Sequence, residues 1–288
     1  MSDEDARAHG VCVVISTHQR PAMLREAIAS VLAQTQLPEH VIVCSDGYDA
    51  ETRAVCCEFA GFRPRVILVE RPHVGRPSIV RNRALERVEL RGSRYVAFCD
   101  DDDRWLPSKL KMQREAMERE GWAVLGTRII PLGTRDESVS ADGIREGRRE
   151  LVGLEDLAAG NRLALSSVMM LTAVWRKLGG FCLGAPTWED YDLWIRAAVR
   201  GAKIGNLGEA LVLYRVHDGL SRRETEALRR QALAHIHRHI PLTALRPWGV
   251  MAARRVRGVV RLRTRLRQGA WALCGRRRGR AGPKARKA

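Results

Sequence analysis

The feature that most constrains the fold is an alternation of short apolar runs and helical patterns over the first hundred residues. Apolar runs of strand length occupy residues 11–16, 40–47, 65–70 and 95–99. A helix is predicted from about Pro21, because the residues on one helical face are apolar: Met23, Leu24, Ala27, Ile28, Val31 and Leu32. The alternation predicts βαβ units, and therefore an α/β fold with a mostly parallel sheet flanked by helices.

The carboxyl ends of these strands are the expected place for a ligand, as in other open parallel sheets. The run YVAFCDDDDRWLP puts four carboxylates, Asp100 to Asp103, directly after a strand that the pattern predicts to be buried. Their mutual repulsion is costly near a dry core, whereas a bound divalent cation makes such clustering favourable. Mg²⁺ and Mn²⁺ sites use one or two carboxylates plus substrate phosphates. The run therefore predicts a metal-phosphate site, with a solvated acidic loop as the alternative.

Beyond the aspartates the pattern is less regular. The polar, Gly-rich segment 127–150 predicts a long loop. Structure is expected to resume near Leu151, with a helix over EDYDLWIRAAVR that ends at Gly201 and a strand over residues 210–217.

Seven short motifs, taken together, resemble the family 2 glycosyltransferases of GT-A fold. In chain order they are VVISTHQRP, VCSDG, VGRPSIVRNRAL, AFCDDDDRWLPSKLKMQ, KLGGF, WEDYDLWIR and LYRVHDGLS, and they run from about Val11 to Ser221. The resemblance implies an inverting enzyme that takes a sugar from a nucleotide diphosphate. It also implies one domain over residues 1–226, with a Rossmann-like nucleotide-sugar half at about 10–105 and an acceptor half at about 106–226.

The resemblance assigns the donor site to residues on the first half of the chain. Asp46 would hydrogen-bond the nucleotide base, with a plain Asp-Gly turn as the alternative. Ser16 and Thr17 would pack along the base and ribose, although Ser16 stands where the family usually has proline. Arg81, followed by Asn82, would clamp the diphosphate, with a solvated helix face as the alternative.

The metal site and the catalytic base are also implied by the resemblance. The DxD motif maps best onto Asp100 and Asp102, with Asp102 the direct ligand of Mg²⁺ or Mn²⁺ and Asp100 nearer the ribose. Four consecutive aspartates leave the register open by one position, so Asp101 and Asp103 stay as supporting candidates. His217 would complete the metal shell.

The WEDYDLW motif would supply the catalytic carboxylates at the head of a helix. Asp190 would be the general base and Glu189 would position the acceptor. A carboxylate at this place can also do no more than complement the helix dipole, and Asp192 is the neighbour most easily confused with Asp190.

The net charge of +17 belongs to the end of the chain. Eighteen of the 50 Lys and Arg residues, and none of the 33 acidic residues, lie in 227–288, so the preceding residues carry a formal charge of −1. Arginines alternate there with Val256, Val259, Val260 and Leu262, near Trp248 and Trp271. This predicts a basic helical tail that docks on an anionic membrane surface, with a solvated extension as the alternative. Nucleic acid is the less favoured partner.

His235, His237 and His239 alternate at two-residue spacing, and no metal site is assigned to them.

The cysteine content and the start of the chain bear on the cellular compartment. Seven cysteines without CxxC spacing, and a polar start, favour a reducing cytoplasmic location, with peripheral association at the inner face of the plasma membrane if the tail binds lipid. The acceptor is open: a lipid-linked glycan, polysaccharide, peptide or small molecule. Two rival functions also stay open. One is a metal-dependent phosphatase or nucleotidyltransferase that uses the aspartates. The other is a non-catalytic adaptor built on a GT-A scaffold.

Overall fold

The computed structural model describes residues 10–87, 93–132, 150–185, 187–215 and 226–240. The strands are β1 (Val11–Thr17), β2 (His40–Asp46), β3 (Arg65–Arg71), β4 (Tyr95–Asp100), β5 (Arg104–Trp105), β6 (Val124–Leu132), β7 (Glu150–Leu151), β8 (Met169–Leu171) and β9 (Ile204–Arg215). The α-helices are α1 (Pro21–Leu32), α2 (Ala50–Glu58), α3 (Pro77–Arg87), α4 (Lys109–Glu120), α5 (Leu154–Ala159), α6 (Thr172–Leu178), α7 (Glu189–Val199) and α8 (Glu226–His237). A short 3₁₀ helix covers Leu165–Ser167.

All of these strands join one sheet in the order β3-β2-β1-β4-β8-β6-β9-β5, with β7 paired to β9. The long ladders β1–β2, β2–β3, β1–β4 and β6–β9 are parallel, whereas β8 runs antiparallel between β4 and β6. This confirms the predicted α/β fold with a mostly parallel sheet. In register, Ser16 lies opposite Cys44 on one side and Asp100 on the other, so the carboxyl ends of β1, β2 and β4 meet at one edge.

Alternate residues of the central strands pack into two separate apolar layers. Val13, Ile15 and Val43 face α1, α2 and α4, and Val14 and Ile42 face α3, α7 and α8. A parallel sheet covered on both faces explains why its strands are continuously apolar in sequence. Among the described residues, no helix combines the length and the apolarity needed to cross a bilayer.

Two parts of the structure differ from what the sequence pattern predicts. Residues 127–132 continue β6 instead of starting a loop, because they pair with β9 from Arg128 to Leu132, and Glu150 begins β7. Residues 133–149 lie outside the described part. At the other end, α8 packs on α7 and buries Ile236 completely, so the first turns of the basic segment belong to the core. The rest of that segment lies outside the described residues.

Candidate active site

The aspartate run at the end of β4 is stabilised by side chains from the end of β1 and from the loop that follows it. The hydroxyl of Thr17 donates to Asp101 Oδ2 at 2.7 Å. Arg20 Nη1 donates to Asp101 Oδ1 at 3.1 Å and to Asp102 Oδ2 at 2.7 Å. One guanidinium thus compensates two neighbouring carboxylates. Sequence reasoning missed Arg20, and only its place in the THQRP loop after a strand end hints at this contact.

Asp103 occupies the most enclosed position of the run. Its Oδ1 accepts a hydrogen bond from the Arg215 backbone amide at 2.9 Å, while the residue is 1% exposed. Its Oδ2 has no hydrogen-bond partner among the residues described. Burial, reinforced by the charge of Asp100, raises the pKa of Asp103 to about 8. Burial likewise raises the pKa of Asp101 to about 6, against the lowering effects of Thr17 and Arg20.

Three of the four aspartates converge in a way that suits a divalent cation. Asp100, Asp102 and Asp103 each offer a carboxylate oxygen, and these oxygens lie within 4.8 Å of one another. Asp103, whose buried Oδ2 makes no hydrogen bond within the described part of the chain, is a member of this group. An all-oxygen donor set is the chemistry that Mg²⁺ and Mn²⁺ prefer. The residues present therefore fit such an ion, and Asp101, held by Thr17 and Arg20, is outside the group.

A cavity of about 540 Å³ opens beside the end of β2, where Asp46 was predicted to meet a base. Its lining includes His18, Asp46, Tyr48 and His73. The rings of His18 and His73 stack with centroids 4.5 Å apart and planes tilted by 22°. The nitrogens Nδ1 of His18 and His73 lie 2.7 and 3.2 Å from the Asp46 carbonyl oxygen. A cavity with aromatic side chains in its lining therefore lies beside Asp46, and its two histidines were not selected from the sequence.

The Asp46 side chain is fixed by backbone amides of the segment after β3. Its Oδ1 accepts from Val74 N at 2.7 Å and its Oδ2 from Gly75 N at 2.8 Å. Gly75 has a φ of +64°, a conformation that glycine adopts without strain. These bonds orient the carboxylate of Asp46, which is 6% exposed. The base contact itself stays a prediction.

Arg81 connects the aspartate run to Glu189 and Asp190, the two carboxylates at the start of α7. From α3, its Nη2 donates to Asp100 Oδ1 at 2.7 Å, and its Nη1 donates to Glu189 Oε1. The guanidinium also lies over the Phe181 ring, 5.7 Å from the centroid. Both hydrogen bonds of Arg81 go to protein carboxylates, and its contact with a diphosphate stays a prediction. What the geometry establishes is that Asp100 and Glu189 share one arginine.

The neighbouring Asn82 ties α3 to the segment that leads to α7. Its Nδ2 donates to Phe181 O at 2.8 Å, and its Oδ1 accepts from Phe181 N at 2.9 Å. Gly180, with a φ of +75°, passes so close that an added Cβ would lie 2.7 Å from Asn82 Oδ1. The GGF motif thus needs glycine for a backbone approach that positions the catalytic candidates.

Asp190 and Glu189 begin α7, as the sequence predicts. Trp188, the residue before the helix, has a φ of +58°, which is uncommon for a bulky side chain and recurs at functional sites. Asp190 Oδ1 accepts from Tyr191 N at 2.7 Å, and its Oδ2 accepts from Asn161 Nδ2 at 3.3 Å. Burial, together with the charge of Glu189, raises the pKa of Asp190, and Arg81 only partly offsets this. A carboxylate with a raised pKa is a stronger proton acceptor, as a general base requires.

Asp192, the neighbour most easily confused with Asp190, lies in a different environment. Its side chain is fully buried and accepts from Arg196 Nε at 2.7 Å within α7. Ser16 forms part of β1 beside Asp100. His217 lies outside the described residues. Arg215, at the end of β9, donates through Nε to the Asp102 carbonyl at 3.1 Å, so β9 ends beside the aspartates.

Comparison with known proteins gives the family of the chain. Residues 12–166 match the family described as Glycosyl transferase family 2. EpsE of Bacillus subtilis, named as a glycosyltransferase, is 27% identical over 232 residues, which are 78% of this chain and 77% of EpsE. WfaP of Escherichia coli, a UDP-Glc:alpha-D-GlcNAc-diphosphoundecaprenol beta-1,3-glucosyltransferase, is 24% identical over 211 residues, covering 73% of this chain and 78% of WfaP.

A solved structure gives the same answer for the fold. The S. aureus TarS fragment 1–349, in complex with UDP-GlcNAc, superposes with a TM-score of 0.65 at 18% identity. The match covers 80% of this chain and 66% of the TarS fragment, so the chain spans about two thirds of that fragment. The family match covers the β1, β2 and β4 strand ends and the whole aspartate run. The chain belongs to glycosyl transferase family 2 and is a glycosyltransferase of GT-A fold.

Proposed function

We propose that this chain transfers a sugar from a nucleoside diphosphate to an acceptor hydroxyl with inversion at the anomeric carbon, with Asp190 as general base. The observation that carries the proposal is the double contact of Arg81. It joins Asp100, in the aspartate run, to Glu189, the residue before Asp190. A donor held at the aspartates and an acceptor held at the head of α7 would then meet in one cleft.

The donor would bind along the edge formed by β1, β2 and β4. The cavity beside Asp46, with the stacked His18 and His73, has the shape and aromatic walls that suit a planar base. Ser16 and Thr17 would lie along the base and ribose, and Arg81 and Arg20 would supply positive charge near the diphosphate. UDP-linked sugars are the first donors to test, because WfaP is named for UDP-Glc and TarS was solved with UDP-GlcNAc.

Asp100, Asp102 and Asp103 would hold Mg²⁺ or Mn²⁺, and His217 is proposed to join them. Such an ion stabilises negative charge on the departing diphosphate when it is bound. The chain contributes Arg20 and Arg81 to the same end, because fixed cations at the leaving group favour the transition state over the ground state. Asp101, held by Thr17, would keep the loop after β4 in place.

On the acceptor side, Asp190 would take the proton from the attacking hydroxyl. Asn161 and the Tyr191 amide orient its two oxygens, and the raised pKa favours proton uptake. Glu189 would hold Arg81 and the acceptor-facing end of α7. A base on the face opposite the leaving group requires inversion. The division into a donor half at about 10–105 and an acceptor half at about 106–226 is part of this proposal.

The acceptor class that we propose is a lipid-linked glycan, since WfaP is named for a diphosphoundecaprenol-linked one. Peripheral docking through the basic segment 227–288, at the inner face of the plasma membrane, would bring the site to such an acceptor. Most of that segment lies outside the described residues, so its support is the charge pattern alone.

The test is a donor screen on the full chain with Mn²⁺ present. UDP-glucose, UDP-GlcNAc, GDP-mannose and dTDP-glucose are each incubated with the protein, and nucleoside diphosphate release is measured. We expect slow release from one nucleotide class, and its loss in D190N. The control is E51Q, which removes an exposed carboxylate in the first turn of α2. Release from none of the donors, or equal release by D190N, would contradict the proposal.

A further inference from the structure

A second group of metal-ligand side chains, separate from the aspartate run, includes Asp192 of α7. Cys182 Sγ lies 3.3 Å from His235 Nε2. Asp192 Oδ1 lies 3.7 Å from His235 Nε2 and 3.5 Å from His239 Nε2. The cluster is formed by the segment before α7, by α7 itself and by α8 with the turn that follows it. The three alternating histidines do not share one helical face. His235 and His239, however, are four positions apart, and both rings approach Asp192 Oδ1.

Three separations within the cluster resemble the edges of a small coordination tetrahedron. Zinc binds His nitrogen and carboxylate oxygen at about 2.0–2.2 Å and Cys sulfur at about 2.3 Å, which places tetrahedral ligand atoms about 3.3–3.5 Å apart. The observed values of 3.3, 3.5 and 3.7 Å lie close to this range. The ligand atoms of Cys182, Asp192 and His235 all lie within 4.8 Å of one another.

The buried oxygen of Asp192 is an independent sign that a ligand is missing. Asp192 is fully buried and its Oδ2 is satisfied by Arg196. Its Oδ1, which faces both histidines, makes no hydrogen bond within the described part of the chain. Leaving such an acceptor unpaired costs about 1–3 kcal/mol, so native proteins usually satisfy it.

The alternative for a Cys, a His and an Asp is a nucleophilic triad, and the geometry argues against it. A triad needs the thiol and the carboxylate on opposite ring nitrogens, because the ring relays a proton between them. Here Cys182 and Asp192 both approach Nε2 of His235. Convergence of Cys182, Asp192 and His235 on one point is the arrangement of ligands around an ion. His239 approaches the Asp192 oxygen of this group and would join it as the fourth ligand.

We propose that Cys182, Asp192, His235 and His239 form a zinc site that fixes α8 to α7. One sulfur, two imidazole nitrogens and one carboxylate oxygen are a donor set typical of Zn²⁺, and unlike the all-oxygen group of Asp100, Asp102 and Asp103. Four protein ligands leave no open position, so the role is structural. The ion ties the start of the basic C-terminal segment to the helix that begins with Glu189 and Asp190. This inference does not depend on the proposed transfer reaction.

The experiment uses Co²⁺ as a spectroscopic substitute for zinc in the full chain, freed of metal by chelation. Wild-type protein is expected to bind one equivalent with a thiolate-to-cobalt charge-transfer band and intense tetrahedral visible bands, and Zn²⁺ is expected to displace it. Both signatures should be lost in C182S. In H239A, Co²⁺ binding should weaken by more than about 100-fold. Loss of a residue that only hydrogen-bonds to a metal-binding side chain typically costs about 10–100-fold in metal affinity.

Matched controls distinguish cobalt bound at the proposed site from cobalt bound at the aspartate run or at another cysteine. C57S removes an exposed cysteine, and R238A changes the residue next to His239, and both should retain the spectrum. D102A should also retain it, since the oxygen site contains no thiolate. Zn²⁺ should raise the Tm of wild-type protein and leave that of C182S unchanged. A wild-type protein without the charge-transfer band, or a C182S variant that keeps it, would overturn the proposal.

Discussion

Arg81 donates a hydrogen bond to Asp100 at 2.7 Å from a position on α3 that is 7% exposed. The same guanidinium donates to Glu189, beside the candidate base. Because a guanidinium is planar and rigid, it holds its two carboxylate partners at a fixed angle and separation. The two ends of the proposed cleft are therefore connected through one side chain.

The first prediction concerns that connection. R81K keeps the positive charge but loses the planar fork, so Asp100 and Glu189 no longer share one donor. We expect kcat/KM to fall by about 100-fold, the loss that an approximately 1 Å displacement in an active site can cause. R83K, on the same helix with its guanidinium on the Pro72 carbonyl, is the control and should retain activity. Near-normal turnover by R81K would mean that the shared arginine does not set the geometry.

The second prediction concerns the base. D190N keeps the size of the side chain and removes its ability to accept a proton. Turnover should fall by about 10²–10⁴-fold, the usual contribution of a positioned base, while the Kd for the nucleotide sugar stays unchanged. Steady-state rates and calorimetric binding separate the two effects. If D190N loses donor binding as well, Asp190 belongs to the donor site and another residue is the base.

The third prediction is a pH dependence. Only the deprotonated form of Asp190 can accept a proton, so kcat/KM should rise as pH rises through its pKa and then level off. Since burial and Glu189 raise that pKa, the midpoint should lie above the ordinary Asp value of about 3.9. E189Q removes one raising charge and should move the midpoint to lower pH. A midpoint that moves upward, or does not move, would contradict this assignment of causes.

Much of this arrangement follows from local sequence, and the rest depends on contacts between distant segments. The apolar runs predict β1 to β4 because a strand covered on both faces must be apolar at every position. The rule that ligands bind at the carboxyl ends of parallel strands then places Thr17, Asp46 and the aspartates together. Both inferences use information within a few residues of each strand end.

The contacts that complete the site span long stretches of chain, and no local pattern reveals them. Arg20 reaches Asp102 across 82 positions, and Asn161 reaches Asp190 across 29. The segment 127–132 contains Ile129 and Ile130, but it also contains Pro131 and leads into the polar, Gly-rich stretch 133–149, so only its pairing with β9 identifies it as a strand. His235 becomes a neighbour of Cys182, and His239 a neighbour of Asp192, only when α8 packs on α7.

The fourth prediction concerns Asp103 in metal-free protein. Its folded pKa of about 8 lies above the unfolded value, so between these values the folded state binds a proton that the unfolded state has released. The free energy of unfolding should therefore fall as pH rises from about 5 to 8. D103N removes the titrating carboxyl group. Relative to wild type, the free energy of unfolding of D103N should therefore increase by on the order of 1 kcal/mol per pH unit over this range.

Urea unfolding in EDTA at several pH values tests this prediction. The informative quantity is the difference between D103N and wild type at each pH, because the titration of groups distant from residue 103 cancels in it. A difference that stays constant with pH would show that Asp103 is ionised in the folded state throughout. A difference that falls with rising pH would show that its carboxylate is stabilised, opposite to what burial imposes.

The central claim is that Asp100, Asp102 and Asp103 bind a divalent cation together with a nucleoside diphosphate. Calorimetric titration of UDP, GDP and dTDP into wild type and D102A, each with Mn²⁺ and with EDTA, tests it most directly. We predict that one nucleotide binds wild type at least about tenfold more tightly with Mn²⁺ than with EDTA, and that D102A loses this gain without weakening binding in EDTA. Nucleotide affinity that is indifferent to both Mn²⁺ and the substitution would contradict the claim.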